Sequence, residues 1–133
     1  MTVATALLDR PADRPRSASR VLLVDGDGDG RRAKAAAMRA AGLEVTAVPD
    51  PAQALAVLGA VRPDVLITDM SRDALELVQV LRVRGAAVPT LTVGSRTDRV
   101  AAFQAGADAF LAVPFGPAEL LDRVADLASP SAA

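Results

Sequence analysis

Short runs of consecutive apolar residues alternate with helical patterns along most of this chain, and that alternation limits the fold more than any other feature. Three runs are apolar or nearly so throughout: VLLV at 21–24, VLI at 65–67 and LTV at 91–93. Continuous runs of this kind are typical of strands buried on both faces of a parallel sheet. LEVTAV at 43–48 alternates as an edge strand does, and AFLAV at 109–113 is predicted to be the opposite edge.

The segments between these runs carry helix start and stop signals. Asp50 and Pro51 are predicted to be an N-cap and a first helical residue, and Gly42 a C-terminal cap. The predicted helices cover 31–41, 51–62, 73–84, a short segment from 97 or 98 to 106, and a last segment that begins at 117. Five repeats of strand and helix predict an α/β fold with a doubly wound parallel sheet. In such sheets, sites form beyond the carboxyl ends of the strands.

Little of the chain lies outside this pattern. Residues 1–19, with Pro11, Pro15 and several arginines, are predicted to be a flexible N-terminal arm, and residues 129–133 a tail. The domain is therefore predicted to span residues 20–128. The apolar run near the N-terminus is too short for a signal sequence, and no stretch is long enough to cross a bilayer. We therefore expect a cytoplasmic protein without a membrane partner.

The composition excludes several kinds of chemistry. The chain has no histidine and no cysteine, which removes the commonest general base, the commonest zinc ligands and all thiolate chemistry. We therefore do not expect an enzyme. A net charge of -1 gives no field that favours nucleic acid, so no direct nucleic-acid partner is expected. Lys34 is the only lysine, and the excess of arginine and alanine is interpreted as a GC-rich coding bias.

The sequence DGDGDG at 25–30, directly after the first predicted strand, raises the question of a calcium loop. It matches the opening of an EF-hand loop, but Arg32 stands where an apolar residue belongs and Ala36 where a bidentate glutamate belongs. The glycine spacing does not match a phosphate-binding loop, and three carboxylates would repel a phosphate. The remaining interpretation is a polar turn in which Asp29 caps the next helix.

Five segments carry a more specific pattern: RVLLVDGD (20–27), RAAGLEV (39–45), RPDVLITD (62–69), AGADAFLAVPF (105–115) and PAELLDRV (117–124). Together they resemble the receiver domain of bacterial two-component response regulators over about residues 20–128. The resemblance implies a flavodoxin-like sheet of five parallel strands, in the order 2-1-3-4-5, with five helices. It also implies a cis peptide bond between Val113 and Pro114.

In that family a histidine kinase supplies a phosphoryl group to an aspartate at the end of the third strand, which the resemblance places at Asp69. An acidic pair after the first strand holds Mg²⁺, a hydroxyl residue after the fourth strand contacts the phosphoryl group, and a lysine precedes a proline after the fifth. The matching positions here are Asp25 and Gly26 for the acidic pair, with Asp27 one place further along, Gly94 for the hydroxyl, Phe110 for the switch aromatic and Val113 for the lysine.

These departures weaken the phosphoryl-transfer site that the resemblance implies. Gly26 removes a carboxylate ligand, so Asp25 and Asp69 are the residues left to hold a metal ion. Val113 removes the fixed cation that would pair with phosphoryl oxygens. Arg72, in a shortened loop, is a candidate substitute cation, with a solvated loop arginine as the other interpretation. We expect no resident cofactor, and Mg²⁺ is the metal ion that the resemblance implies.

The leading hypothesis is an atypical receiver domain, or pseudo-receiver, that signals by protein–protein contacts without the standard Mg²⁺-dependent aspartyl phosphorylation. Its partner would be a histidine kinase or another regulator, or a second copy in a homodimer. The predicted contact face comprises the fourth helix, the fifth strand and the fifth helix, with Phe103, Phe110, Leu111 and Leu120 in or near it. Core packing is the other interpretation of most of these side chains. Few residues follow the last helix, so a stand-alone receiver or a fragment of a longer regulator is expected.

Two alternatives remain open from the sequence. In the first, Asp69 is a slow or unusual phosphoacceptor in a phosphorelay, with Asp25 and Asp27 sharing a metal ion. In the second, the emptied acidic pocket binds a small molecule and the domain is a sensor. Uptake of a phosphoryl group from a small donor would distinguish the first alternative from the leading hypothesis.

Overall fold

The computed structural model describes residues 19–129. Five strands and five α-helices alternate through this part of the chain. The strands are β1 (Arg20–Val24), β2 (Glu44–Val48), β3 (Val65–Thr68), β4 (Thr90–Gly94) and β5 (Ala109–Ala112). The helices are α1 (Gly28–Ala40), α2 (Pro51–Val61), α3 (Arg72–Val83), α4 (Arg99–Ala105) and α5 (Pro117–Ala128), with a short 3-10 turn (Arg96–Asp98) before α4.

The strands form one parallel sheet in the order β2-β1-β3-β4-β5, which confirms the predicted flavodoxin-like, doubly wound fold. Val24, the last residue of β1, is the register partner of both Val48 and Thr68. At the other side of the sheet, Gly94 at the end of β4 is paired with Ala112 at the end of β5. The carboxyl ends of the strands therefore lie along one edge, and the loops that follow them meet there.

Alternate residues of the central strands pack into two apolar cores, one on each face of the sheet. Leu23 and Ile67 belong to the core that contains Met38 of α1 and Leu120 of α5. The core on the opposite face contains Leu22, Val24 and Leu66 with Ala54 of α2 and Leu77 and Leu81 of α3. Because helices cover both faces, residues 21–24 of β1 and 65–67 of β3 meet an apolar core on whichever side they point, which explains these uninterrupted apolar runs.

Helix α1 begins at Gly28, earlier than the predicted start at Arg31. Asp27 is the N-cap: its backbone is extended, and its side chain accepts a hydrogen bond from the Gly30 N–H. The predicted cap at Asp29 was therefore wrong. Two glycines at the start of a helix weaken its sequence signal, because glycine has low helix propensity. The cap at Asp27 and an acidic residue in the first turn favour the helical start nonetheless.

The remaining boundaries agree with the predictions to within about two residues. Pro51 is the first residue of α2 and Asp50 caps it, accepting a hydrogen bond from the Gln53 N–H. The peptide bond between Val113 and Pro114 is cis, as predicted. Of the predicted N-terminal arm, residues 1–18 lie outside the described range, as do residues 130–133 of the tail. No helix within 19–129 is both long and apolar enough to cross a membrane.

Candidate functional site

The carboxyl ends of β1 and β3 bring two carboxylates to one edge of the sheet. Asp25 follows β1 directly and Asp69 follows β3 directly, and the last residues of these strands, Val24 and Thr68, are register partners. The Gly26 N–H donates to Asp69 Oδ2 at 3.0 Å, so the two loops are joined by a hydrogen bond. Asp25 is buried and Asp69 is half-buried. We call this arrangement of Asp25, Gly26 and Asp69 the acidic pocket.

A lysine from α1 enters the acidic pocket. Lys34 Nζ lies 2.8 Å from Asp25 Oδ2, and the side chains of Lys34 and Asp25 are only 18% and 9% exposed. The other oxygen of this carboxylate, Oδ1, accepts the Asp27 N–H at 2.9 Å. The Asp25 carbonyl oxygen accepts a hydrogen bond from Arg31 Nη1 at 2.7 Å. Both carboxylate oxygens of Asp25 thus have donors within this chain, and its charge is paired.

The contact between Lys34 and Asp25 was missed from the sequence, although a signal for it exists. The only lysine of the chain stands in the helix that begins at the acidic loop. Helical side chains lean toward the helix N-terminus, so a long side chain in the second turn of α1 reaches back to the end of β1. Attributing the isolated lysine to coding bias overlooked this geometry.

The two other aspartates of DGDGDG, Asp27 and Asp29, interact with the first residues of helix α1. Asp27 Oδ2 accepts the Gly30 N–H at 3.1 Å, as expected of an N-cap. Asp29 lies in the first turn, where its carboxylate pairs with Arg32 at 2.5 Å on the exposed surface. A metal ion shared by Asp25 and Asp27 would therefore have to compete with the Lys34 ammonium at Asp25 and with the N-cap hydrogen bond at Asp27.

Asp69 is held by backbone donors on both of its oxygens. Oδ2 accepts the Gly26 N–H and Oδ1 accepts the Ser71 N–H, each at 3.0 Å. Ser71 in turn caps α3 by accepting the Ala74 N–H at 3.1 Å. Arg72, the candidate substitute cation, is an exposed residue in the first turn of α3. The short loop after β3 is thus closed by a helix cap.

The residues of the acidic pocket do not fit the Mg²⁺ ion that the resemblance implies. Mg²⁺ requires oxygen ligands in near-octahedral geometry. Gly26 supplies no side-chain ligand, and the Asp25 carboxylate is already in contact with an ammonium group. Across residues 19–129, no three or more acidic, histidine or cysteine side chains are grouped so that they could hold a metal ion.

The hydroxyl position at Gly94 is covered by a neighbouring side chain. A Cβ atom built on Gly94 would collide with Met70 Cγ and would lie 2.8 Å from Asp98 Oδ2. Met70, from the loop after β3, packs with Phe110 in a small apolar cluster that also contains Ala102 and Ala107. The end of β4 therefore has no room for a larger residue while Met70 stays in place.

The predicted contact face divides into buried and exposed parts. Phe110, Leu111 and Leu120 are buried in the cores, as their core-packing interpretation predicts. Exposed apolar side chains on the same elements are Val100 and Phe103 of α4, at 66% and 39%, and Val113 after β5, at 50%. The Arg99 guanidinium lies over the Phe103 ring, 5.2 Å from its centroid. Val113, at the lysine position, is thus a surface residue.

A buried pair of hydroxyl groups beneath the pocket was not predicted. Thr68 Oγ1 and Thr92 Oγ1 lie 3.1 Å apart, on register-paired residues at the end of β3 and in the middle of β4. Both residues are essentially inaccessible to solvent. One hydroxyl donates to the other, so each takes part in a hydrogen bond, and this bond joins β3 and β4 one residue before Asp69 and two residues before Gly94.

Comparison with known families agrees with this fold. A family model described as the response regulator receiver domain matches residues 21–125. The transcriptional regulatory protein PrrA of Mycobacterium leprae is 38% identical over 114 residues, which are 81% of this chain and 49% of that protein. The response regulator MprA of Mycobacterium avium is 35% identical over 111 residues, or 79% of this chain and 49% of that protein. The chain thus spans about half the length of these curated relatives.

Solved structures give the same result. A putative response regulator from Chloroflexus aurantiacus superposes with a TM-score of 0.76 at 29% identity, covering 84% of this chain and 98% of that one. The chemotaxis protein CheY4 of Vibrio cholerae gives a TM-score of 0.74 at 27% identity, covering 82% and 98% of the respective chains.

Proposed function

The chain belongs to the response regulator receiver domain family, and from that premise we propose that it is an atypical receiver domain that signals through protein contacts. Receiver domains are modules of two-component signal transduction that interact with histidine kinases and other proteins. In this one, signalling would proceed without the standard Mg²⁺-dependent phosphorylation of Asp69. The proposal concerns the described domain, since the relatives are about twice as long.

One observation carries the proposal: the acidic pocket contains a lysine ammonium where a divalent cation would be needed. Lys34 Nζ contacts Asp25 Oδ2 at 2.8 Å, and Gly26 contributes no second carboxylate. A carboxylate that attacks phosphorus must have the charge of the phosphoryl oxygens neutralised in the transition state. Without a bound divalent cation, Asp69 lacks the main source of that neutralisation.

The other positions support the same conclusion. Val113 places an exposed apolar side chain where the family has a lysine, so no fixed cation follows β5 at that position. Gly94 lies under Met70 and offers no hydroxyl to a phosphoryl group. Phe110 is buried among apolar neighbours and has no hydroxyl to donate. The parts that would stabilise a phosphorylated state and report it are thus replaced together.

The partner of the domain would be a protein. Net charge is -1, which provides no general attraction for nucleic acid or an anionic membrane. Val100 and Phe103 present apolar surface on α4, and Val113 presents more after β5. Apolar side chains exposed together are a common feature of protein contact surfaces. A histidine kinase, another regulator or a second copy would dock on this face.

The experiment is a phosphorylation assay read by intact mass. The purified protein is incubated with acetyl phosphate or phosphoramidate and Mg²⁺, beside a conventional receiver domain as the positive control. We expect no added phosphoryl mass on this chain under conditions that fully modify the control. Uptake that disappears in Asp69→Ala would contradict the proposal and favour a slow phosphoacceptor at Asp69.

That second candidate has one observation in its favour: Asp69 is half-buried rather than fully enclosed, at the position of the family's phosphoacceptor. A metal ion shared by Asp25 and Asp27 adds little support, because it would meet the Lys34 ammonium at Asp25 and would compete with the N-cap hydrogen bond at Asp27. The small-molecule sensor stays a prediction, and a thermal-shift screen with metabolites and nucleotides is its test.

A further inference from the structure

The ion pair inside the acidic pocket suggests more than the absence of a metal. We infer that Lys34 is a tethered counter-cation that takes the place of a divalent ion, so that the pocket excludes divalent cations for as long as the lysine is there. This inference rests on the proposed function, in which the domain works without Mg²⁺. It adds a role for one residue that lies outside the positions marked by the family resemblance.

The first support is the enclosure of the pair. Lys34 and Asp25 side chains are 18% and 9% exposed, and their charged atoms are 2.8 Å apart. A charge pair with so little solvent around it is weakly screened, and separating it would leave a carboxylate with little water to replace the ammonium. A divalent cation that bound Asp25 would have to displace the ammonium or tolerate it as a like charge nearby.

The second support is the positive charge of the Lys34 ammonium, because hydrogen bonds to the two aspartates would not by themselves exclude a metal ion. All four carboxylate oxygens of Asp25 and Asp69 accept an N–H, from Lys34 and from the backbone of Asp27, Gly26 and Ser71. A carboxylate oxygen has a second lone pair, so one hydrogen bond does not prevent metal coordination. The ammonium is different because it brings a positive charge to the same oxygen. Removing that charge should open the site to a metal.

The third support is the position of the Lys34 ammonium next to Gly30. A Cβ built on Gly30 would lie 3.2 Å from Lys34 Nζ, 3.5 Å from Asp25 Oδ2 and 2.8 Å from Asp27 Oδ2. The ammonium therefore lies close to the Gly30 backbone, and a side chain at position 30 would crowd the ammonium. A glycine inside α1 is unfavourable for helix formation. The close contacts that a side chain would make with Lys34 and Asp27 explain why glycine is nevertheless found at position 30.

The fourth support is that a missing carboxylate could be restored. A Cβ built on Gly26 would lie 3.8 Å from Asp69 Oδ2 and 3.8 Å from the Pro49 carbonyl oxygen, which is ordinary van der Waals contact. Gly26→Asp is therefore sterically feasible and gives the pocket an additional acidic ligand. It provides a background in which the effect of Lys34 on metal binding can be measured well.

The test measures Mn²⁺ binding directly, as the loss of the electron paramagnetic resonance signal of free Mn²⁺, and Mg²⁺ binding by the shift in melting temperature at constant ionic strength. Four proteins are compared: wild type, Lys34→Met, Gly26→Asp and Gly26→Asp with Lys34→Met. Arg72→Met, which removes an exposed cation at the same edge, controls for the change in net charge. Circular dichroism establishes that each variant is folded.

We expect Lys34→Met to raise Mn²⁺ affinity by about tenfold or more in both backgrounds, because a like charge beside the ligand oxygen is removed. Wild type and Arg72→Met should bind equally weakly, and adding Asp25→Asn to Lys34→Met should abolish the gain. If Lys34→Met does not fold, Lys34→Gln replaces it, since glutamine keeps a donor near Asp25 without the charge.

Equal Mn²⁺ affinity with and without Lys34, whether strong or weak, would overturn the inference. A gain that survives Asp25→Asn would also overturn it, because the metal would then be bound elsewhere. None of these readouts measures phosphoryl transfer. The proposed function fails only if Asp69 gains phosphoryl mass, so the two failures are distinguishable.

Discussion

Lys34 Nζ lies 2.8 Å from Asp25 Oδ2, which joins the second turn of α1 to the carboxyl end of β1 by a largely buried ion pair. Removing one member leaves the other charge without a partner in a poorly solvated place. We expect Lys34→Met to lower the free energy of unfolding by about 1–3 kcal/mol. Combining it with Asp25→Asn should restore part of the loss, which urea denaturation of the four proteins in the cycle would measure.

A matched pair on the same helix provides the control for that cycle. Arg32 and Asp29 are 2.5 Å apart, but their side chains are 70% and 93% exposed. The same double-mutant cycle on this pair should give a coupling of at most about 0.5 kcal/mol, as for other exposed helical pairs. Equal coupling in the two pairs would mean that burial of Lys34 and Asp25 adds nothing to their interaction.

Gly30 and Gly59 give opposite predictions for the same substitution. A Cβ on Gly30 would lie 2.8 Å from Asp27 Oδ2, whereas a Cβ on Gly59, inside α2, meets no atom within 4 Å. We expect Gly30→Ala to destabilise the protein by about 1–3 kcal/mol through crowding. Gly59→Ala should stabilise it by about 0.5–1 kcal/mol, because alanine favours the helix. Thermal and urea unfolding would measure both, and stabilisation by Gly30→Ala would contradict the packing of this loop.

The assignment of the α1 cap leads to a third prediction. Asp27 accepts the Gly30 N–H, while Asp29 is in the first turn and pairs with an exposed arginine. We expect Asp27→Ala to cost about 1 kcal/mol of stability, the usual effect of losing an N-cap. Asp29→Ala should cost less than about 0.5 kcal/mol, and Asp27→Ser should retain most of the stability. A larger loss of stability in Asp29→Ala than in Asp27→Ala would contradict the cap at Asp27 and support the cap at Asp29 that was predicted from the sequence.

The sheet could be predicted from the sequence because its signals are local. VLLV and VLI are apolar at every position, and both strands prove to be covered on both faces. Prolines and capping residues marked α2 and α5 for similar reasons. The start of α1 was misplaced because Gly28 and Gly30 have low helix propensity. Glycine is favoured at position 30 because Asp27 Oδ2 and Lys34 Nζ would crowd a side chain there, and propensity alone does not show this crowding.

In the candidate site, only the residues whose positions follow directly from the strand order could be predicted from the sequence. Asp25 and Asp69 meet because β1 and β3 are neighbours, which the strand order of the family resemblance implied. Lys34 reaches the same place through the pitch of a helix and the length of its side chain. Met70 reaches Gly94 from the loop of an adjacent strand. Both contacts depend on tertiary packing, so the sequence pattern showed which groups were lost but not which side chains replaced them.

Met70 and Gly94 yield the last prediction, which concerns the replaced hydroxyl. A side chain at position 94 would collide with Met70 Cγ and approach Asp98 Oδ2 to 2.8 Å. We therefore expect Gly94→Ser alone to destabilise the protein by about 1–3 kcal/mol.

Trimming the neighbour should relieve the collision. Met70→Ala removes the closest contact of a Cβ at position 94 and leaves the contact with Asp98 Oδ2, so Gly94→Ser should be less destabilising in that background than in wild type. Urea unfolding of the four proteins gives the coupling, and Met70→Ala alone controls for the apolar contacts that Met70 makes with the cluster around Phe110. An unchanged effect of Gly94→Ser would show that Met70 does not exclude a side chain there. The predicted coupling would mean that a hydroxyl at the end of β4 lowers stability as long as Met70 packs against position 94.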